Sequence, residues 1–248
     1  MGDASQAGHA ILAAVTTAER QSLSLTVGPE SKVDALLTDP PRRSALLVLA
    51  PGAGADMDQP FLEHLATDLA ERAIATLRYR FPYMQRRMRR PDAPPVCHAT
   101  VRAAVAAATL IAAGAPVFAG GKSFGGRMTS QAQALQPLPG VGGLVFIGFP
   151  LHPAGEPGIA RAEHLAAVRI PMLFLSGSRD ALAETTRLEG VVAALGPGAR
   201  LRLFAEADHS LHVPARSGRT DRQVQTELSD VLAGWIAEQV QRKREPRA

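Results

Sequence analysis

One cysteine, Cys97, in 248 residues leaves no partner for an intramolecular disulfide. A stable fold must therefore come from a packed core, and the expected setting is reducing and cytoplasmic. Aromatic residues are also scarce, at 4%, with one tryptophan and two tyrosines. The core must be filled by aliphatic side chains and alanine, which the 46% hydrophobic content supplies. So few rings argue against a base-stacking surface, and a nucleic-acid partner is not expected. No apolar run reaches the roughly 18 residues of a membrane span, so no membrane role is expected either. Lysine is confined to Lys32, Lys122 and Lys243, whereas arginine runs through the whole chain. The formal charge of +4 therefore says little about partners.

The N-terminal stretch AILAAVTTA is apolar but short, and Asp3 precedes it where a signal peptide carries basic residues. Residues 1–20 read as a leader or short helix, and residues 21–248 as a single domain. Within that domain one arginine cluster stands out, Arg78, Arg80, Arg86, Arg87, Arg89 and Arg90. Paired or solvated arginines are the favoured reading, with an anionic substrate or partner as the alternative. Cys97-His98 invites a thiol–imidazole reading, against which a small buried thiol is favoured.

Hydrophobic patterning sets the fold class. LSLTV (Leu23 to Val27) and DALLT (Asp34 to Thr38) flank a Gly-Pro turn, which predicts an antiparallel strand pair. SALLVLA (Ser44 to Ala50) is a continuous apolar run, as a strand buried on both faces requires. A helix over Phe61 to Ala73 follows, with Asp58 as its expected N-cap, then a strand over Ile74 to Tyr79. The alternation continues with a helix over His98 to Ala113, the strand PVFAG and a helix over Phe124 to Leu135. Then come a strand over Gly143 to Phe149, a short helix near Ile159 to Ala167 and a strand over Pro171 to Gly177. A helix over Glu184 to Leu195, a strand over Arg200 to Ala207 and a helix over Thr220 to Gln241 complete the set. This order predicts an α/β fold, a mostly parallel twisted sheet with helices on both faces. Ligands of such sheets bind beyond the carboxyl ends of the strands.

One loop there admits two chemistries. In VFAGGKSFGGR, Gly121-Lys122-Ser123 has the ending of a phosphate-cradling loop. That loop needs glycine five residues earlier, where this chain has Pro116, which lacks an N–H and has a fixed φ. The other reading, G-x-S-x-G over Gly121 to Gly125, is a sharp strand-to-helix turn that presents a nucleophilic serine. A serine hydroxyl needs a base, and the base an orienting carboxylate. Asp180 and His209 follow Ser123 in the expected order, each just past a strand. His212 is a rival base and Glu184 a rival acid, whereas Asp208 adjoins the histidine too closely to turn back to its ring. The expected oxyanion donors are the backbone N–H of Phe124 and that of Ala53, which lies between Gly52 and Gly54 in the loop after Ser44 to Ala50.

These stretches, with PGAGADMDQPF, RYRFPYMQRRMRRPDAPP, GFPLHPAGEP, LFLSGSRD and EADHSLH, resemble the α/β-hydrolase superfamily. More narrowly, the chain is similar to a compact dienelactone-hydrolase-like branch. That branch includes the hydrolase-like domain of the regulatory subunit of the NSL chromatin complex and a testis-expressed relative. The resemblance covers nearly everything from Leu46 onward and implies the same Ser123, Asp180, His209 triad. It also implies that the Arg78 to Arg90 segment and Leu151 to Pro157 lie over the site, where Tyr83, Arg86 and His152 could meet substrate, with loop packing or surface exposure the slightly favoured reading for each. Pro51 stands where the family usually has histidine, which removes an imidazole from the oxyanion loop but not the Ala53 N–H.

The expected activity is hydrolysis of an ester, thioester or related acyl bond of a small molecule, with no cofactor, no metal and little or no cap. The alternative is a catalytically inactive scaffold that uses the arginine-rich loop.

Overall fold

The computed structural model describes residues 18–29 and 31–244. The leader expected over residues 1–20 lies outside the described residues up to residue 17, and Glu19 and Arg20 belong to the first strand.

Strand β1 (Glu19–Val27) pairs antiparallel with β2 (Ser31–Asp39), as the two alternating segments around Gly28-Pro29 require. The chain continues through β3 (Ala45–Ala50), α1 (Pro60–Glu71), β4 (Ile74–Tyr79), a one-turn helix α2 (Pro82–Gln85) and α3 (Pro94–Ala112). Then follow β5 (Val117–Lys122), α4 (Phe124–Leu135), β6 (Val141–Ile147) and a 3₁₀ helix over Ala160–Ala167. Strand β7 (Met172–Gly177), α5 (Thr185–Ala194), β8 (Ala199–Phe204) and α6 (Asp221–Arg244) close the fold.

The eight strands form one sheet in the order β1-β2-β4-β3-β5-β6-β7-β8. Strand β2 is antiparallel to β4, and every pair from β4 to β8 is parallel. The winding reverses between β3 and β5, so their carboxyl ends open a crevice. Ala50 and Gly121 are register partners at that point.

Period-2 alternation divides the core between the two faces. Leu46, Val48 and Ala50 of β3 join the cluster built on α3, α4 and α5, while Ala45, Leu47 and Leu49 join α1 and α6. Between β6 and the 3₁₀ helix the chain has no large cap insertion.

Several boundaries differ from expectation, some of them for local reasons. Helix α1 starts at Pro60 with Gln59 as N-cap and no capping side chain, because Asp58 is bound by Arg80. Helix α3 begins four residues before His98, since Pro94 and Pro95 fit a first helical turn. Strand β6 stops at Ile147 because Gly148 takes φ +62°, and β8 stops at Phe204, before Glu206 at φ 60°. The turn Pro82–Gln85 carries no hydrophobic period and was not expected as a helix.

Helix α3 bears on the membrane reading. Its 19 residues have a mean hydropathy of 1.4, which by length and composition alone is enough to cross a membrane. In the fold, Cys97, Val101, Ala104, Val105, Ala108 and Ala112 are its buried stripe within the core cluster.

Candidate active site

Ser123 sits between β5 and α4 at φ 48°, ψ −114°, a conformation sparsely populated by residues with a Cβ. The turn closes only because its neighbours are glycines. A Cβ on Gly121 would lie 2.4 Å from the Ala50 carbonyl oxygen, and one on Gly125 2.5 Å from that of Pro51. A Cβ on Gly126 would meet the Gly121 oxygen at 2.8 Å. The Ser123 N–H donates to the Ile147 carbonyl at 2.9 Å, which ties the turn to β6.

His209 Nε2 is 2.9 Å from Ser123 Oγ. On its other side Nδ1 meets Asp180 Oδ2 at 2.8 Å and Oδ1 at 3.0 Å. A carboxylate only accepts, so Nδ1–H donates to Asp180 and Nε2 is left to accept from the serine hydroxyl. The Asp180 side chain is fully buried and that of His209 is 24% exposed. The carboxylate is held further by the Leu182 N–H at 2.8 Å.

The loop that carries His209 is held on several sides. Asp208 accepts from the Ser210 and His212 amides at 2.7 and 3.0 Å, so its carboxylate braces the turn. Lys122 Nζ lies 3.4 Å from both the His209 and Ser210 carbonyls and 4.4 Å from the Phe61 ring centroid. Burial pushes the Lys122 ammonium down to about 8, against the opposing pull of Asp180 and Asp208. A Cβ on Gly148 would come within 3.1 Å of the His209 carbonyl and 3.4 Å of its ring. From the sequence Lys122 belonged only to the phosphate-loop reading and Gly148 was not singled out; their proximity to the loop exists only once β5 to β8 are assembled in the sheet.

The loop after β3 runs beside the serine. A Cβ on Gly52 would lie 3.8 Å from Ser123 Cβ. Ala55 N–H closes a turn on the Gly52 carbonyl at 3.3 Å, with Gly54 at φ +73°, and Ala53 at its exposed tip. Phe124 is the first residue of α4, where a backbone N–H has no acceptor within the helix.

The residues expected to meet substrate are placed differently from one another. Tyr83 is buried, its ring 6.3 Å from that of Phe124 at 88°. Burial raises the Tyr83 phenol well above its ordinary value. Arg86 is exposed and paired with Asp92 at 2.5 Å. The His152 ring is buried, with Nδ1 on the Pro153 carbonyl at 2.7 Å and Nε2 on Glu184 at 2.9 Å, so both nitrogens are engaged. The Pro153 hydrogen bond raises the His152 pKa more than any other cause, with Glu184 adding to it.

The rivals fall elsewhere. His212 is bound to Asp221 at 2.8 Å with its side chain 63% exposed, and Glu184 is bound to His152. His98 pairs with Gln131 at 3.2 Å rather than with Cys97, whose buried thiol is pushed up to about 12. The arginine cluster does not form one patch. Arg78 is buried and donates to the Met57 carbonyl at 2.9 Å, while Arg80 binds Asp34, Asp56 and Asp58. Only Arg86, Arg87, Arg89 and Arg90 face solvent.

Known structures share this architecture. A dienelactone hydrolase from Anabaena variabilis superposes with a TM-score of 0.72 at 21% identity, over 90% of this chain and 98% of that one. Est1E from Butyrivibrio proteoclasticus, in complex with ferulic acid, gives 0.71 at 13% identity, over 88% and 99%. A serine hydrolase without lid from Xanthomonas campestris gives 0.64 at 20% identity, over 94% and 97%. At such identities the likeness concerns the fold. The sequence itself matches the family described as alpha/beta hydrolase domain across residues 43–237, from just before β3 into α6. With most of the chain matched and the sheet wound in the same way, this protein belongs to the α/β-hydrolase domain family.

Proposed function

We propose that this protein is a serine hydrolase that cleaves an ester, thioester or related acyl bond of a small molecule. The supporting observation is the hydrogen-bonded chain from Asp180 through His209 to the Ser123 hydroxyl, at 2.8 and 2.9 Å. In this reading Ser123 Oγ attacks the acyl carbonyl carbon while His209 Nε2 takes the hydroxyl proton. The C–O or C–S bond to the leaving group then breaks, and His209 returns the proton to that group. Water attacks the acyl-enzyme by the same route, releasing the acid and restoring Ser123. Asp180 keeps the imidazole in the tautomer that accepts at Nε2.

The Phe124 and Ala53 amides are the oxyanion donors of this proposal, and each such donor is worth about 3–4 kcal/mol in the transition state. Pro51 leaves both amides in place, because proline removes only its own N–H. Tyr83 supports the ring of Phe124 and so steadies one donor. Fold likeness to a dienelactone hydrolase and to esterases favours the dienelactone-hydrolase-like branch and small acyl substrates.

A fluorophosphonate probe and a panel of 4-nitrophenyl esters test the proposal together. The wild type should be labelled, and Ser123→Ala should abolish labelling and lower kcat by a factor on the order of 10⁶ for a well-matched ester. A protein that neither labels nor turns over any ester or thioester would be a scaffold instead.

A further inference from the structure

Helix α4 leaves the Ser123 turn with Phe124, Arg127 and Gln131 spaced by three and four residues, hence along one stripe. The Arg127 guanidinium carbon is 5.8 Å from the Phe124 ring centroid. Arg127 itself is four residues from Ser123, about 6 Å along the helix axis. Two other elements bring polar groups to the same helix. His98, from the first turns of α3, bonds Gln131 at 3.2 Å, and His164, from the 3₁₀ helix, bonds Ser130 Oγ at 2.8 Å. Arg161, from that same 3₁₀ helix, donates to the His152 carbonyl at 3.0 Å.

The arginines and histidines here act mainly on one another. Arg127 feels Arg161, His164 feels Arg127 and His98, and His98 feels Arg102 and Arg127. Glu163, on the same 3₁₀ helix, is exposed and forms no ion pair among the described residues, and Asp92 and Glu184 are already bound by Arg86, His152 and Arg187. Arg127 and Arg161 form no ion pair among the described residues, and the buried Arg127 Nε has no hydrogen-bond partner there. Burial, more than the neighbouring charges, lowers the pKa of Arg127 and pushes the His164 imidazole down to about 4. Two half-buried guanidinium groups without a counter-ion are unfavourable until an anion reaches them.

We propose that Arg127 and Arg161, flanked by His98 and His164, form a subsite for an anionic group of the acyl substrate, a carboxylate or a phosphate. A guanidinium fork suits either oxyanion, and half-burial strengthens the contact relative to a solvated arginine. Its place one helical turn from Ser123 makes the preferred substrate an ester or thioester whose anionic group lies a few bonds from the scissile carbonyl. The role in turnover rests on the hydrolase reading above, whereas the binding of an anion does not.

Two measurements test it. In the first, the ring resonances of His98 and His164 are followed in the wild type by NMR as glutarate or inorganic phosphate is added. An anion held by the arginines offsets their field, so the His164 pKa should rise, and Arg127→Gln and Arg161→Gln should each suppress that rise. The anion with the larger effect identifies the group recognised. No response to either anion up to about 10 mM, a concentration corresponding to very weak binding, overturns the subsite.

In the second measurement, 4-nitrophenyl hemiglutarate is compared with 4-nitrophenyl valerate. The wild type should prefer the anionic ester by about tenfold or more in kcat/KM, mainly through KM. Arg127→Gln should erase the preference, lowering kcat/KM for the anionic ester by about tenfold more than for the neutral one. Equal losses on both esters would make Arg127 structural and overturn the proposal. If neither ester is turned over, the hydrolase reading fails, and the NMR titration alone decides the subsite.

Discussion

At the scale of single residues, the site depends on positions where no side chain fits. Gly148 has φ +62°, and a Cβ there would lie 3.4 Å from Cε1 and Nδ1 of His209. Gly148→Ala should cost about 1–2 kcal/mol from its left-handed backbone alone. It should also shift the imidazole, and a displacement near 1 Å lowers kcat by roughly 10²-fold. Chemical denaturation and ester kinetics on the same sample separate the two effects. Unchanged kcat in a folded variant would show that the ring does not rest on this glycine. Ser123, Asp180 and His209 could be picked out because the glycine-flanked serine, the aspartate and the histidine each follow an apolar run, and the fold joins them in one hydrogen-bonded chain. His152 was not legible in the same way. Its pattern carries no sign that both ring nitrogens would be taken by Pro153 and Glu184.

At the scale of elements, Arg80 joins three segments at the end of β4. It bonds Asp34 of β2 at 2.8 Å and Asp56 and Asp58 of the β3–α1 loop at 2.7 and 2.9 Å. The Asp56 hydrogen bond is the main reason its pKa is raised. Asp56 and Asp58 belong to the loop that holds Ala53, so this arginine anchors the proposed oxyanion donor to the sheet. Arg80→Met leaves three carboxylates facing one another. It should lower stability by about 1–2 kcal/mol after allowing for their solvent exposure. Urea unfolding at low and high salt measures this, and the loss should shrink as salt screens the repulsion. Sequence reading placed Arg80 in a basic cluster because spacing along the chain says nothing of partners 22 to 46 residues away.

At the scale of the whole molecule, two sets of histidines pull stability in opposite directions with pH. His164 and His98 have pKa values lowered in the fold, chiefly by burial, and His164 comes down to about 4. The unfolded chain, with an ordinary histidine near 6.5, binds more protons in that window. Stability from this source is complete above about pH 6.5 and is lost as pH falls toward about 4. His152 is raised, so its contribution is complete below about pH 6.5 and is lost as pH rises through its folded value. The melting temperature should therefore fall between pH 6.5 and pH 4, and His164→Gln should flatten that fall. An identical acid limb in the variant would assign the loss to other groups.

The sequence by itself determined the alternation of apolar runs and helical stripes, and with it a wound parallel sheet whose strand ends carry the loops of the proposed site. It determined the tight turn at Ser123 too, since glycine is the only residue whose backbone can pass Ala50 and Pro51 at the observed distances. Local pattern suffices there because burial and backbone sterics act within a few residues. Tertiary structure alone decided which charges meet. It brought His98 of α3 and Arg161 and His164 of the 3₁₀ helix toward Arg127 of α4, enclosed Arg78 and tied Arg80 to three acids. Electrostatic neighbours act through space rather than along the chain, so their pairing is fixed only when the elements pack.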